Sequence, residues 1–128
     1  MPTIRRGKAL IEGLGAESSG GKLLAAGLEN VASLLREVPE GVDVLAGTDL
    51  AVPSAAVGRE ATALIRHGLD PRRAVDAAST TAYSFTRRPA EFVIGAPVDA
   101  VFFDRDPYED PSALERPVAA LRHGARVR

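Results

Sequence analysis

The sequence predicts an α/β chain up to about residue 89 and a mostly β segment after it. Three observations carry this prediction. Leu24, Leu28, Val31, Leu35 and Val38 recur at alternating steps of four and three, which makes one apolar stripe on a helix. The run Gly41-Val-Asp-Val-Leu-Ala-Gly-Thr-Asp49 is short and apolar and closes on small and polar residues, as a buried strand does. Beyond Pro89 the apolar runs shorten and are separated by Pro, Gly and Asp, the punctuation of strands and turns.

Taken in order, residues 1–4 read as the end of a strand. Residues 8–14 have helical character, which Gly13 and Gly15 interrupt, and Ser18-Ser19-Gly20-Gly21 reads as a mobile loop. A lysine and a hydroxyl do not follow a glycine here in the order a P-loop needs. The striped helix spans 22–38 and ends at Pro39 and Gly41. After the strand to Asp49 comes a loop over 50–58, with Pro53 in it. A second helix starts at Ser54 or Val57 and runs to His67, with Ala61, Leu64 and Ile65 inward and Gly68 as its C-terminal cap. Asp70-Pro71 starts a third helix, a carboxylate N-cap followed by proline in the first helical position. Ala74, Val75, Ala78, Ala82 and Phe85 form its buried side, and it ends near Arg87-Arg88-Pro89.

Residues 91–94 alternate weakly, and Gly95-Ala96-Pro97 is a turn. A compact apolar strand over 98–103 is interrupted by Asp99. Residues 104–111 form an acidic, proline-bearing loop. Segments 117–121 and 125–127 flank His123-Gly124 as a terminal hairpin.

A chain of 128 residues is one domain by length. A complete (β/α)8 barrel needs about 250. The net charge of -1 argues against a general nucleic-acid binder. The arginine pairs Arg5-Arg6, Arg72-Arg73 and Arg87-Arg88 read as solvated surface. Without cysteine there is no disulfide framework, thiolate metal site or thiol nucleophile. No apolar run approaches the ~20 residues of a membrane span, and no apolar stretch follows the basic N-terminus as in a signal peptide. A soluble cytoplasmic protein is the expectation.

The end of the 41–49 run is chemically distinctive. Gly47 admits a close neighbour, and Thr48 and Asp49 place a hydroxyl and a carboxylate where the strand leaves the core. In α/β barrels that edge carries catalytic groups. Capping of the next helix accounts for the same residues equally well. Asp104-Arg105-Asp106 has the pattern of a magnesium site, but Pro107 and Pro111 favour a surface turn. Tyr108-Glu109-Asp110 lacks EF-hand spacing. Ser79-Thr80-Thr81 has no adjacent base to activate a hydroxyl.

Four stretches together resemble the C-terminal portion of metal-dependent amidohydrolases of the imidazolonepropionase-like and prolidase-like type. Gly41 to Asp49 resembles the eighth barrel strand. Arg59-Glu60 through His67-Gly68-Leu69-Asp70-Pro71 resembles the helix after it. Ala74 to Ala82, with Ala77-Ala78-Ser79-Thr80, resembles the next helix. Gly95-Ala-Pro-Val-Asp-Ala-Val-Phe-Phe-Asp-Arg-Asp-Pro107 resembles the return into a small β domain. The ending Val118 to Val127 is similar to the last hairpin, and Pro2-Thr3-Ile4 to a segment further upstream.

The resemblance implies that residues 1–89 are the last strand-helix units of a (β/α)8 barrel and residues 90–128 the C-terminal strands of its β-sandwich. It implies one or two divalent metals, usually zinc, and metal-bound hydroxide that attacks the C–N bond of a small amide-like substrate. On this mapping Asp49 is both a metal ligand and the catalytic carboxylate that moves the proton to the leaving nitrogen. Glu60 is structural or a minor pocket contact. The remaining family ligands, a histidine pair on the first strand, a mid-barrel lysine or carboxylate and later histidines, have no counterpart here. His67 and His123 match none of them, and His67 sits where a helix C-terminus accounts for it. The expected species is therefore a fragment or truncated relative, silent on its own, binding no metal by itself, and associating with further copies through unpaired strand edges. A non-catalytic α/β binding or assembly module is the alternative.

Overall fold

The computed structural model describes residues 4–48, 57–89 and 91–127. Asp49, the start of the following loop with Pro53, and the 1–3 part of the expected first strand lie outside the described residues.

The chain opens on a helical hairpin. Helix α1 is Ile4–Leu14 and α2 is Ser19–Arg36, and the two pack along each other. Ile4 is thus helical, not the end of a strand. The serine-glycine run is not a mobile loop either. Ser18 is the N-cap of α2: its Oγ accepts from the Gly21 amide at 3.0 Å and donates to the Gly15 carbonyl at 2.7 Å. A cap of this kind stabilises a helix by about 1 kcal/mol. Gly21 is required there, because a Cβ would lie 2.2 Å from the Gly15 carbonyl oxygen. The glycines that suggest a loop by propensity are here tolerated for close packing.

Helix α3 is Val57–Arg66 and α4 is Pro71–Ala77. Between them Gly68 takes φ +107°, the left-handed conformation that ends α3, and Asp70 caps α4 by accepting from the Arg73 amide at 3.1 Å. The core gathers around this joint. Leu35 of α2 meets Ala63, Leu64, Leu69, Ala74 and Ala77, with Leu28, Val31, Val38, Val44 and Ala46 packed against them. The expected stripe of the long helix therefore does face the core at Leu28, Val31 and Leu35.

The expected third helix is two. It breaks at Ala78-Ser79, and α5 is Thr80–Phe85. Ser79 has φ -140° and ψ -98°, and its hydroxyl donates to the Val75 carbonyl at 2.7 Å, satisfying a group at the end of α4. Phe85, expected on the buried side, is exposed because the break turns α5 away from the core.

After the Gly41 turn the 42–48 run takes no regular secondary structure and, among the described residues, pairs with no strand. Its one ladder-like bond runs from the Ala46 amide to the Ala77 carbonyl at the end of α4, at 2.9 Å. A strand forms only where another edge accepts it, and the neighbour here is a helix end. Residues 91–94 form a bend and turn, not a strand. Among the described residues the sheet has three antiparallel strands in the order β1-β2-β3: Ala100–Phe102, Ala119–Arg122 and Ala125–Arg126. Ala100 pairs with Leu121 and Phe102 with Ala119. The two-residue turn His123-Gly124 has φ +50° and +78°, the left-handed pair that a tight hairpin needs. A 3-10 helix, Pro111–Glu115, connects β1 to β2 and packs on α3. Gly58 makes that approach possible, since a Cβ there would lie 2.1 Å from the Leu114 carbonyl oxygen.

Candidate functional site

The segment that leads to Asp49 is held by α4. The Arg73 guanidinium donates to the carbonyls of Val38 at 2.7 Å, Pro39 at 3.3 Å and Val42 at 2.7 Å. These are the acceptors left over where α2 ends and the chain turns. One charged fork thus satisfies three carbonyls, and the Ala46–Ala77 bond fixes the run further along. Sequence reading assigned Arg72-Arg73 to solvated surface. Arg73 is instead a clamp, and spacing within its own helix carries no signal of partners more than thirty residues away.

An open cleft of about 480 Å³ lies between α1, α3 and the 3-10 helix. Lys8 and Glu12 line one wall, Arg59, Thr62, Ala63, Arg66 and His67 the other, and Glu115 one end. Thr62 Oγ1 lies 2.7 Å from Glu115 Oε1 and 3.1 Å from the Arg59 carbonyl, and its single proton goes to the nearer, charged acceptor. Arg59 Nε stands 3.8 Å from Glu115 Oε2. His67 Nδ1–H donates to the Ala63 carbonyl at 2.8 Å, which leaves Nε2 as the ring's second polar atom. Glu60 is buried in the first turn of α3 and does not line the cleft.

The two histidines lie on different elements, His67 at the end of α3 and His123 in the β2–β3 turn. Among the described residues no three His, Asp or Glu side chains gather as a metal site would require. Asp49, the carboxylate expected as a metal ligand, lies outside the described residues.

The acidic loop is a structural brace. Asp106 Oδ1 accepts from the Tyr108 amide at 2.8 Å, as in a surface turn. Asp110 caps the 3-10 helix through Ser112 and pairs with Arg105 at 2.9 Å, so its oxygens are engaged, and the Ser112 hydroxyl foremost holds its carboxyl below the usual range. Tyr108 reaches across to α4: its hydroxyl donates to Asp76 Oδ1 at 2.6 Å, which pushes the phenol upward, and Arg72 lies over its ring at 5.6 Å. Asp99, which interrupts an apolar run, also has a purpose. It accepts from the His123 amide at 2.8 Å and pairs with Arg88 at 3.2 Å. The His123 amide foremost, with Arg88 helping, holds its carboxyl below the usual range.

No protein-family model matches this chain, and no curated protein or solved structure matches it. Among the described residues no helix is long and apolar enough to cross a membrane.

Proposed function

We propose that this chain is the C-terminal portion of a metal-dependent amidohydrolase, acting on amide or cyclic-amide C–N bonds, with Asp49 as its one ligand and catalytic carboxylate. The observation that carries the reading is the order of elements. The run 41–48, with Asp49 next in sequence, precedes a helix closed by Gly68, an Asp70-Pro71 helix, an antiparallel strand, an acidic turn and a Gly124 hairpin. In this reading the 41–48 run is a barrel strand without its neighbours, and the three-stranded sheet is part of a β-sandwich. The distribution of apolar side chains supports it. Leu23 is 75 % and Phe92 80 % exposed, Ile94 is fully exposed, and Val101, Phe102 and Val118 on and beside the sheet are about half exposed. A larger protein would cover such surface.

Fold likeness alone awards no activity. The 128-residue chain is expected to show no amide turnover with or without zinc, because it lacks the family's histidine ligands. It is expected to self-associate through the uncovered apolar faces and the outer edges of β1 and β3, which pair with no further strand among the described residues. Reading the coding sequence upstream of Met1 tests the assignment: a frame with a His-x-His strand supports it. Metal-dependent turnover by the 128-residue chain, lost in Asp49→Asn, would make the chain an enzyme in its own right. A closed upstream frame together with a cooperative monomer would favour the non-catalytic module, for which the self-contained α2–α3–α4 core already speaks.

A further inference from the structure

We propose that the cleft between α1, α3 and the 3-10 helix binds a small oxyanion, a carboxylate or phosphate group, between Arg66 and Lys8. This is independent of the hydrolase reading and of Asp49.

The argument is one of charge and space. Among the described residues three cations line the cleft against two carboxylates. Glu115 is already committed: one oxygen takes the Thr62 hydroxyl and the other faces Arg59. That accounts for Arg59. Lys8 and Arg66 have no ion-pair partner among the described residues, and both are exposed along the cleft walls. Glu12 lies four residues after Lys8 on the same helix and forms no salt bridge with it. Arg66 is in the last turn of α3, where the helix dipole favours a cation and supports its placement. Its planar fork matches a carboxylate or phosphate in two-point geometry.

The remaining lining suits the same guest. His67 has its Nδ1–H tied to the Ala63 carbonyl, so the ring is held in one orientation beside Arg66. Thr62 and Ala63, in the same wall as Arg66, are buried. A volume of about 480 Å³ is within the range of small-molecule sites and too small for a macromolecular segment to enter deeply. The walls come from two helices that pack on each other, so the cations on opposite walls are placed by tertiary structure.

Calorimetric titration of the 128-residue chain at low ionic strength, with inorganic phosphate in one arm and succinate in the other, tests this. Saturable, one-site binding in either arm is expected, and the stronger arm identifies the oxyanion class. Arg66→Gln should weaken it about tenfold and Arg66→Lys by less, since the charge is kept while the fork is lost. Lys8→Gln should weaken it several-fold. Lys22→Gln, which removes an equal charge paired with Glu17 outside the cleft, should leave it unchanged. Circular dichroism establishes that each variant keeps its helices, and a variant that unfolds is replaced in the comparison by the other cleft variant. No saturable binding in either arm, or an equal loss in Lys22→Gln, would overturn the proposal.

Discussion

The helical joint at α3–α4 and the C-terminal sheet solve the problem of burial in opposite ways. Ala61, Ala74 and Ala77 are completely buried, and Ala63, Leu64, Leu69 and Val75 nearly so. Small side chains let α3, α4 and the 3-10 helix approach closely, so modest volumes suffice to exclude water. The sheet carries larger residues but hides few of them. Over 91–127 the buried apolar residue is Ala113 in the 3-10 helix, while Val101, Phe102 and Val118 stay half exposed. The lesson is that backbone proximity, not side-chain size, decides which part of this chain forms a core. A three-stranded sheet needs something laid across a face before its large residues contribute.

The contrast breaks most directly at Gly58. Gly58→Ala should destabilise the helical joint by more than about 2 kcal/mol, because the new methyl meets the Leu114 backbone and not a movable side chain. Thermal denaturation followed by circular dichroism reads this, and an unchanged midpoint would mean that α3 does not seat on the 3-10 helix. Arg73→Ala comes next. Losing three charge-assisted bonds to carbonyls should cost about 2 kcal/mol in a denaturant titration and speed amide exchange at Ala46. Arg73→Lys should restore less than half, since an ammonium lacks the fork. Full recovery by lysine would reduce the clamp to a simple charge effect.

The sheet offers a gentler test through acid. Asp99 has its carboxyl lowered in the folded chain by the His123 amide and Arg88. A lowered folded value contributes stability that is present above the unfolded value, about 3.9, and is lost as pH falls through the folded one. The His123-Gly124 turn should therefore loosen below about pH 4 while the α3–α4 amides stay protected. Amide signals across an acid titration distinguish the regions, and simultaneous loss would show that they unfold as one. The smallest effect on stability belongs to Ile94→Ser, which should change it by less than about 0.5 kcal/mol. In sedimentation equilibrium the same substitution, combined with Phe92→Ser, should lower self-association. Wild-type protein sedimenting as a monomer would instead show that these residues make no contact between copies.

What the sequence by itself determined is the set of local decisions. Periodicity gave the long helix. The Gly68 cap, the Asp70-Pro71 start and the His123-Gly124 hairpin each follow from backbone conformations that few other residues adopt cheaply. The acidic loop was readable as a turn from its prolines. The tertiary structure decided the rest. The apolar run before Asp49 has strand character, but pairing needs an edge, and α4 offers one carbonyl and an arginine fork instead. Ser18 to Gly21 has loop composition, yet a carbonyl close to Gly21 makes it a helix start. The break at Ser79 lies inside a good helical pattern. The cleft was invisible in sequence, because Lys8, Arg66 and Glu115 are far apart along the chain and act together only when their elements meet. Local signals report the conformation of a few residues, whereas partnership between distant groups exists only once the chain has folded.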